Sequence, residues 1–141
     1  MAHAIVRQEI PAPAGTVWSL LGDLRAGPER WPAVAWIELE GAGVGCLRTL
    51  HLVDGHVIRE RLESHDPIGR RYRCEVLSAP ELPLRELHYT VTVEERSARA
   101  CTVEWALDFE PADASEERVR GMLEGIYGSL RATILESLEG R

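Results

Sequence analysis

A chain of 141 residues has room for one domain and buries about two-thirds of its unfolded surface, and a hydrophobic content of 45% fits a packed core rather than disorder. The formal net charge is -7 and all 16 basic residues are arginine, so no dense basic patch exists and nucleic acid is not expected as a partner. The opening MAHAIVRQEI has no apolar run of signal-peptide length, and no stretch approaches the roughly 18 apolar residues of a membrane span, so a soluble, cytoplasmic protein without a membrane partner is expected.

Residues 3–10, HAIVRQEI, alternate weakly and read as a first strand, closed by Pro11 and Pro13, which cannot continue a ladder. Residues 14–24 then place Val17, Trp18, Leu20, Leu21 and Leu24 at helical spacing, with Gly22 a weak point. Gly27-Pro28 breaks that helix, Glu29 to Trp31 adds a turn of a second short one, and Trp31-Pro32 forces an extended exit. A second strand follows over 34–40. After the turn SHDPIGRR, residues 72–77 alternate, SAPELP over 78–83 is a proline-bounded loop, and 84–95 sets Leu87, Tyr89, Val91 and Val93 against His88, Thr90, Thr92 and Glu94. Residues 101–109 bury Val103, Trp105, Leu107 and Phe109 by the same period.

A long helix is predicted over 113–138, opened by Asp113 and Glu116 at capping-box spacing. Val119, Leu123, Ile126, Tyr127, Leu130 and Ile134 share one face. Gly121, Gly125, Gly128 and Ala132 share the opposite one. Either a second copy of the chain approaches closely there, making a homodimer, or the face is simply solvated. Cys46, Cys74 and Cys101 are odd in number, far apart and set in strand-like runs, which suggests packing residues rather than a disulfide framework or zinc site.

The most informative stretch is 41–63, two alternating runs joined by Asp54-Gly55, a strong hairpin signal. Two turns fit it. A two-residue loop sets Val53 against His56 and Thr49 against Glu60. A three-residue loop, Val53-Asp54-Gly55, pairs Leu52 with His56, Leu50 with Ile58 and Arg48 with Glu60. One residue of register exchanges every face. The second version gathers Arg48, Leu50, Leu52, Ile58, Glu60 and Leu62 on one face, a cleaner chemical partition, and is preferred.

The order strand, two short helices, six antiparallel strands and long helix predicts an α+β fold, a seven-stranded curved antiparallel sheet wrapped around the C-terminal helix. A cavity lies between them, its mouth ringed by the two short helices and the SAPELP loop.

That order resembles the SRPBCC (START and birch-pollen-allergen-like) helix-grip superfamily, and within it the polyketide cyclase/dehydrase-2-like group. The likeness covers nearly the whole chain. It is carried by APAGTVWSLLGDL and the WPAV after it, by GxGxGxxR ending at Arg48, by DGHVIRERLESHD, by the proline loop before HYTVTV, by VEWALDFEP and by YGSLRATILESLE. The resemblance implies a cavity for a small, largely apolar molecule, with Arg48 and Glu60 pointing inward, as related plant hormone receptors use an inward glutamate in a similar ERL strand. The aromatic expected shortly after the proline loop is Leu87 here, with Tyr89 two residues on along the same face.

Arg48 and Glu60 are the sharpest candidates for chemistry, because a buried ion pair adds little net stability over apolar residues and is better explained by function. Arg48 would bind a carboxylate or carbonyl oxygen, or stabilise an enolate, and Glu60 would hold the arginine or act as a base. The alternative is an ion pair at the sheet rim. Tyr72, Tyr89 and Trp105 share the concave face with Leu50, Ile58 and Leu87, as core aromatics or as pocket walls. His56 sits beside the turn, and His51, His65 and His88 lack a second ligand at metal spacing, so no metal is expected. GAGVGC is not a dinucleotide fingerprint, since Cys46 stands where the third glycine belongs and a strand follows; no nucleophile elbow occurs, and no cofactor is expected. The leading reading is a binder of a small hydrophobic, aromatic or polyketide-like ligand. Its rivals are a cyclase or dehydratase using the same pair, and a dimerising module whose cavity is filled by side chains.

Overall fold

Period-two burial translates into one sheet. In the computed structural model, which describes residues 1–79 and 82–139, the elements are β1 (Ala2–Ile10), α1 (Ala14–Leu21), β2 (Val34–Glu40), β3 (Leu47–Leu52), β4 (Val57–Asp66), β5 (Arg71–Ser78), β6 (Leu84–Ser97), β7 (Ala100–Pro111) and α2 (Glu116–Glu139). The seven strands lie in the order β1-β7-β6-β5-β4-β3-β2, all neighbours antiparallel. This is the curved helix-grip arrangement expected. β2 to β7 form the meander, and β1 closes it by pairing along the whole inner edge of β7, Ala2 opposite Phe109 and Ile10 opposite Cys101. Leu87, Tyr89, Val91 and Val93 of β6 and Val103, Trp105, Leu107 and Phe109 of β7 are all buried, as their alternation requires.

α2 packs across β1 and β7. A helix is roughly 10 Å across, whereas six inter-strand spacings of about 4.8 Å make the sheet about 29 Å wide. One helix therefore covers only one side of the inner face. The half built from β3, β4 and β5 is not packed directly by α2, and that geometry creates the cavity described below.

Boundaries depart from expectation where local chemistry intervenes. α1 ends at Leu21 rather than 24, because Gly22 caps it with its N–H on the Trp18 carbonyl and the Trp18 indole folds over the glycine, 2.6 Å from where a Cβ would stand. The second short helix is reduced to a single turn in which the Gly27 carbonyl accepts from the N–H groups of Arg30 and Trp31; Pro28 and Pro32 leave no room for more. The Asp113–Glu116 capping box is not formed. Asp113 has φ 55, in the left-handed region, and the cap is Ser115, whose Oγ accepts the Arg118 N–H at 3.1 Å. Of the loop expected over 78–83, Pro80 and Glu81 lie outside the described residues. No helix of the described residues is long and apolar enough to cross a membrane.

On α2, Val119, Leu123, Tyr127 and Ile134 face the sheet, Leu130 is half-buried and Ile126 is exposed toward the cavity mouth. Gly121, Gly125 and Gly128 are exposed, and a Cβ at any of them meets nothing within 4 Å. Nothing among the described residues requires glycine there. Replacing all three by alanine is expected to stabilise the fold, by about 0.5–1 kcal/mol per site, read as a raised urea midpoint. A lowered midpoint that depends on protein concentration would instead put a second copy of the chain on this face.

Candidate functional site

The β3–β4 hairpin carries the charged pair, and its turn decides where that pair points. The loop is Val53-Asp54-Gly55: the Gly55 N–H bonds to the Leu52 carbonyl at 3.0 Å, and the Leu52 N–H to the His56 carbonyl at 2.9 Å. Gly55 sits at φ 94, a conformation that L side chains resist. Arg48 therefore stands opposite Glu60 and Leu50 opposite Ile58. The three-residue register is the one formed, and both charges turn to the concave side.

There they make a closed cluster. Glu60 is 3% exposed, and the Arg48 side chain 12%. Oε1 of Glu60 accepts from Arg48 Nε at 2.8 Å and also from Nη2, while Oε2 accepts the Tyr89 hydroxyl at 2.9 Å. Arg48 Nη1 donates to the Leu24 carbonyl at 3.3 Å, which ties the site to the segment after α1. Three of the five guanidinium N–H groups are thus engaged, and two have no partner among the described residues. Burial by itself would lower the Arg48 pKa, but the facing Glu60 carboxylate holds it well above its usual value, so the cation persists. Burial pushes the Tyr72 hydroxyl up to about 12, and burial with the neighbouring Glu60 charge drives Tyr89 well upward, so both remain protonated donors. The same causes lift the Cys74 thiol to about 12, which removes it as a nucleophile.

The cluster forms part of the wall of a cavity of about 370 Å³ between the sheet and α2. Leu50, Ile58, Tyr72, Leu87, Tyr89 and Trp105 all border it with Arg48 and Glu60, so the residues singled out from the sequence come together. One wall is aromatic. Tyr72 meets Tyr89 edge-on at 6.0 Å between ring centroids, and Tyr89, Trp105 and Tyr127 pack mutually at 5.4 to 5.9 Å. The remainder is mostly aliphatic, with Leu52, Val76, Leu82 and Leu130, and Ser129 and Thr133 of α2 add hydroxyls.

Two residues here, Tyr127 in this wall and Gln8 behind it, are not among the site candidates that the sequence offers. The spacing of Tyr127 puts it on the buried face of the last helix without marking it as a site residue. Gln8 was not singled out, although it is 6% exposed and bridges the two halves of the fold. Its Oε1 accepts the Trp105 indole N–H at 3.0 Å, and its Nε2 donates to the carbonyls of Tyr127 at 2.7 Å and Gly128 at 3.2 Å. The signal was available: Ala2, Ala4, Val6, Gln8 and Ile10 share the inward parity of β1, and glutamine is the polar one among them. The histidines stay outside the cluster. His51 stacks on Trp36 at 3.6 Å, His56 meets Asp54 at 2.9 Å, and His88 bonds to Glu63 and, at 2.7 Å, Glu86. Among the described residues no group of three or more His, Cys, Asp or Glu side chains is arranged to hold a metal.

A concave sheet, a long helix and a mostly apolar cavity between them agree with the family comparison, in which a model described as polyketide cyclase / dehydrase and lipid transport matches residues 1–139. The chain belongs to this polyketide cyclase/dehydrase and lipid transport family. No curated protein matches the sequence. Among solved structures, this family member is similar to an uncharacterized protein from Bacillus thuringiensis, at 30% identity and a TM-score of 0.84 over 97% of this chain and 99% of the other. It shares its fold with the ZhuI aromatase/cyclase from a Streptomyces species, at 22% identity and TM-score 0.71 over 96% and 93% of the two chains. It also shares it with norcoclaurine synthase from Thalictrum flavum, at 16% identity and TM-score 0.75 over 99% and 87%.

Proposed function

We propose that this protein takes up a small, largely apolar molecule into the cavity between sheet and α2, and orients it by an oxygen placed against Arg48. The observation that carries the reading is an open space of about 370 Å³, within the size range of small-molecule pockets, roughly 300–1,000 Å³. A module with a filled cavity would have none. Arg48 and Glu60 are the only charged groups among the described lining residues. Glu60 accepts three donors, so its role is to hold Arg48 rather than to take a proton from the ligand.

Mixing the protein with the neutral dye N-phenyl-1-naphthylamine should raise its fluorescence with one site per chain, and Leu50→Trp, which fills part of the cavity, should suppress the rise. An unchanged dye signal in wild-type protein would sink the reading. Native mass spectrometry of freshly purified protein, searched for a retained molecule, then addresses the natural occupant.

A second reading, catalysis of a cyclisation or dehydration, draws on the two N–H groups of Arg48 that have no partner among the described residues. Donors fixed in a buried site stabilise an enolate oxygen as it develops. The shared fold with an aromatase/cyclase supports asking the question. Turnover of a poly-β-ketone model compound that Glu60→Gln abolishes would separate enzyme from carrier.

A further inference from the structure

We infer that the ligand of this cavity is uncharged and offers Arg48 a carbonyl-type acceptor, not a carboxylate; the inference rests on the cavity reading above and narrows it. The argument is one of charge balance. Arg48 and Glu60 cancel, and the phenols Tyr72, Tyr89 and Tyr127 stay protonated because burial raises each of them. The described lining is therefore neutral in sum while remaining mostly apolar.

Into that lining an anion would bring an uncompensated charge. It would lie beside Glu60, already the accepting partner of Arg48 Nε and Nη2, and its desolvation would have no second cation to offset it. A neutral carbonyl has no such cost. It can accept from Arg48's two remaining N–H groups, which have no partner among the described residues, and leaves the Arg48–Glu60–Tyr89 cluster intact. The aromatic wall of Tyr89, Trp105 and Tyr127 borders the same cavity, so an aryl ketone is a suitable probe of both features.

The test is displacement of N-phenyl-1-naphthylamine at pH 7 by 2-acetylnaphthalene and by 2-naphthoate, near-isosteric molecules that differ in charge. Wild-type protein should prefer the ketone by about tenfold or more. Glu60→Gln keeps the side chain's shape and leaves Arg48 uncompensated, so the order should reverse in favour of 2-naphthoate. Equal or stronger displacement by 2-naphthoate from the wild type, or a ratio that Glu60→Gln does not move, overturns the inference. Should the variant not fold, methyl 2-naphthoate against 2-naphthoate on wild-type protein decides alone, an ester preference sustaining it and its absence overturning it. Failure of the dye to bind at all overturns the cavity reading itself, a separate result.

Discussion

Arg48→Met is expected to cost the fold about 3–5 kcal/mol, and Arg48→Met combined with Glu60→Leu to recover most or all of that loss. The single variant leaves a carboxylate that is 3% exposed with one remaining donor, the Tyr89 hydroxyl. No other cation among the described residues pairs with it. The double variant removes both charges and fills their places with apolar atoms against Leu50, Ile58 and Leu62, an exchange that buried ion pairs elsewhere tolerate or gain from. Urea midpoints at unchanged slope read the difference. Both variants should bind 2-acetylnaphthalene more weakly, because the oriented N–H groups are gone, and neither should gain affinity for 2-naphthoate, since no cation is left in the described lining. A single variant within about 1 kcal/mol of wild type, the cost of breaking a surface pair, would mean that solvent reaches the pair and that it is not held for binding.

Gln8→Leu is the second large effect. It strips the acceptor from the buried Trp105 indole N–H and the donor shared by the carbonyls of Tyr127 and Gly128. Leaving a buried donor unpaired costs about 1–3 kcal/mol. Adding Trp105→Phe, which removes that donor, should return part of the loss, and the double-mutant cycle isolates the coupling. The more telling readout is ligand affinity. Gln8 links β1, β7 and α2 behind the aromatic wall, so its loss should weaken the binding of N-phenyl-1-naphthylamine beyond what Trp105→Phe does alone. Unaltered dye affinity in Gln8→Leu would confine the residue to a purely stabilising part.

The two hydrogen-bonded clusters differ in how well local sequence announced them. Arg48 and Glu60 are 12 residues apart, joined by one hairpin, and their meeting depends on a single turn whose two versions were both written in Asp54-Gly55. Gln8 and Trp105 are 97 residues apart. They meet because β1 leaves the start of the chain and pairs with β7, with Val6 opposite Trp105 and Gln8 opposite Val103. The odd glutamine in an apolar parity marked a buried polar group, but its partner lay beyond any local pattern. α1 and α2 were visible as periodicities, and their ends were not, since Ser115 and Asp113 compete for the cap and only the backbone conformation of Asp113 excludes it.

What the sequence determined by itself was periodicity: which residues of β6 and β7 turn inward, which face of α2 is apolar, and the order of elements that makes a helix-grip fold the economical way to bury them. These follow from side-chain spacing at two and 3.6 residues, a property of the local chain. Tertiary structure alone decided the register at Gly55, the closure of the sheet by β1 and the placement of α2 over β1 and β7. Register is a one-residue choice that local strand preference leaves nearly balanced, settled by turning Leu50, Ile58 and Leu62 to the same side as Leu87 and Tyr89. From that choice, and from a helix too narrow to cover seven strands, come the cavity and the charged pair within it.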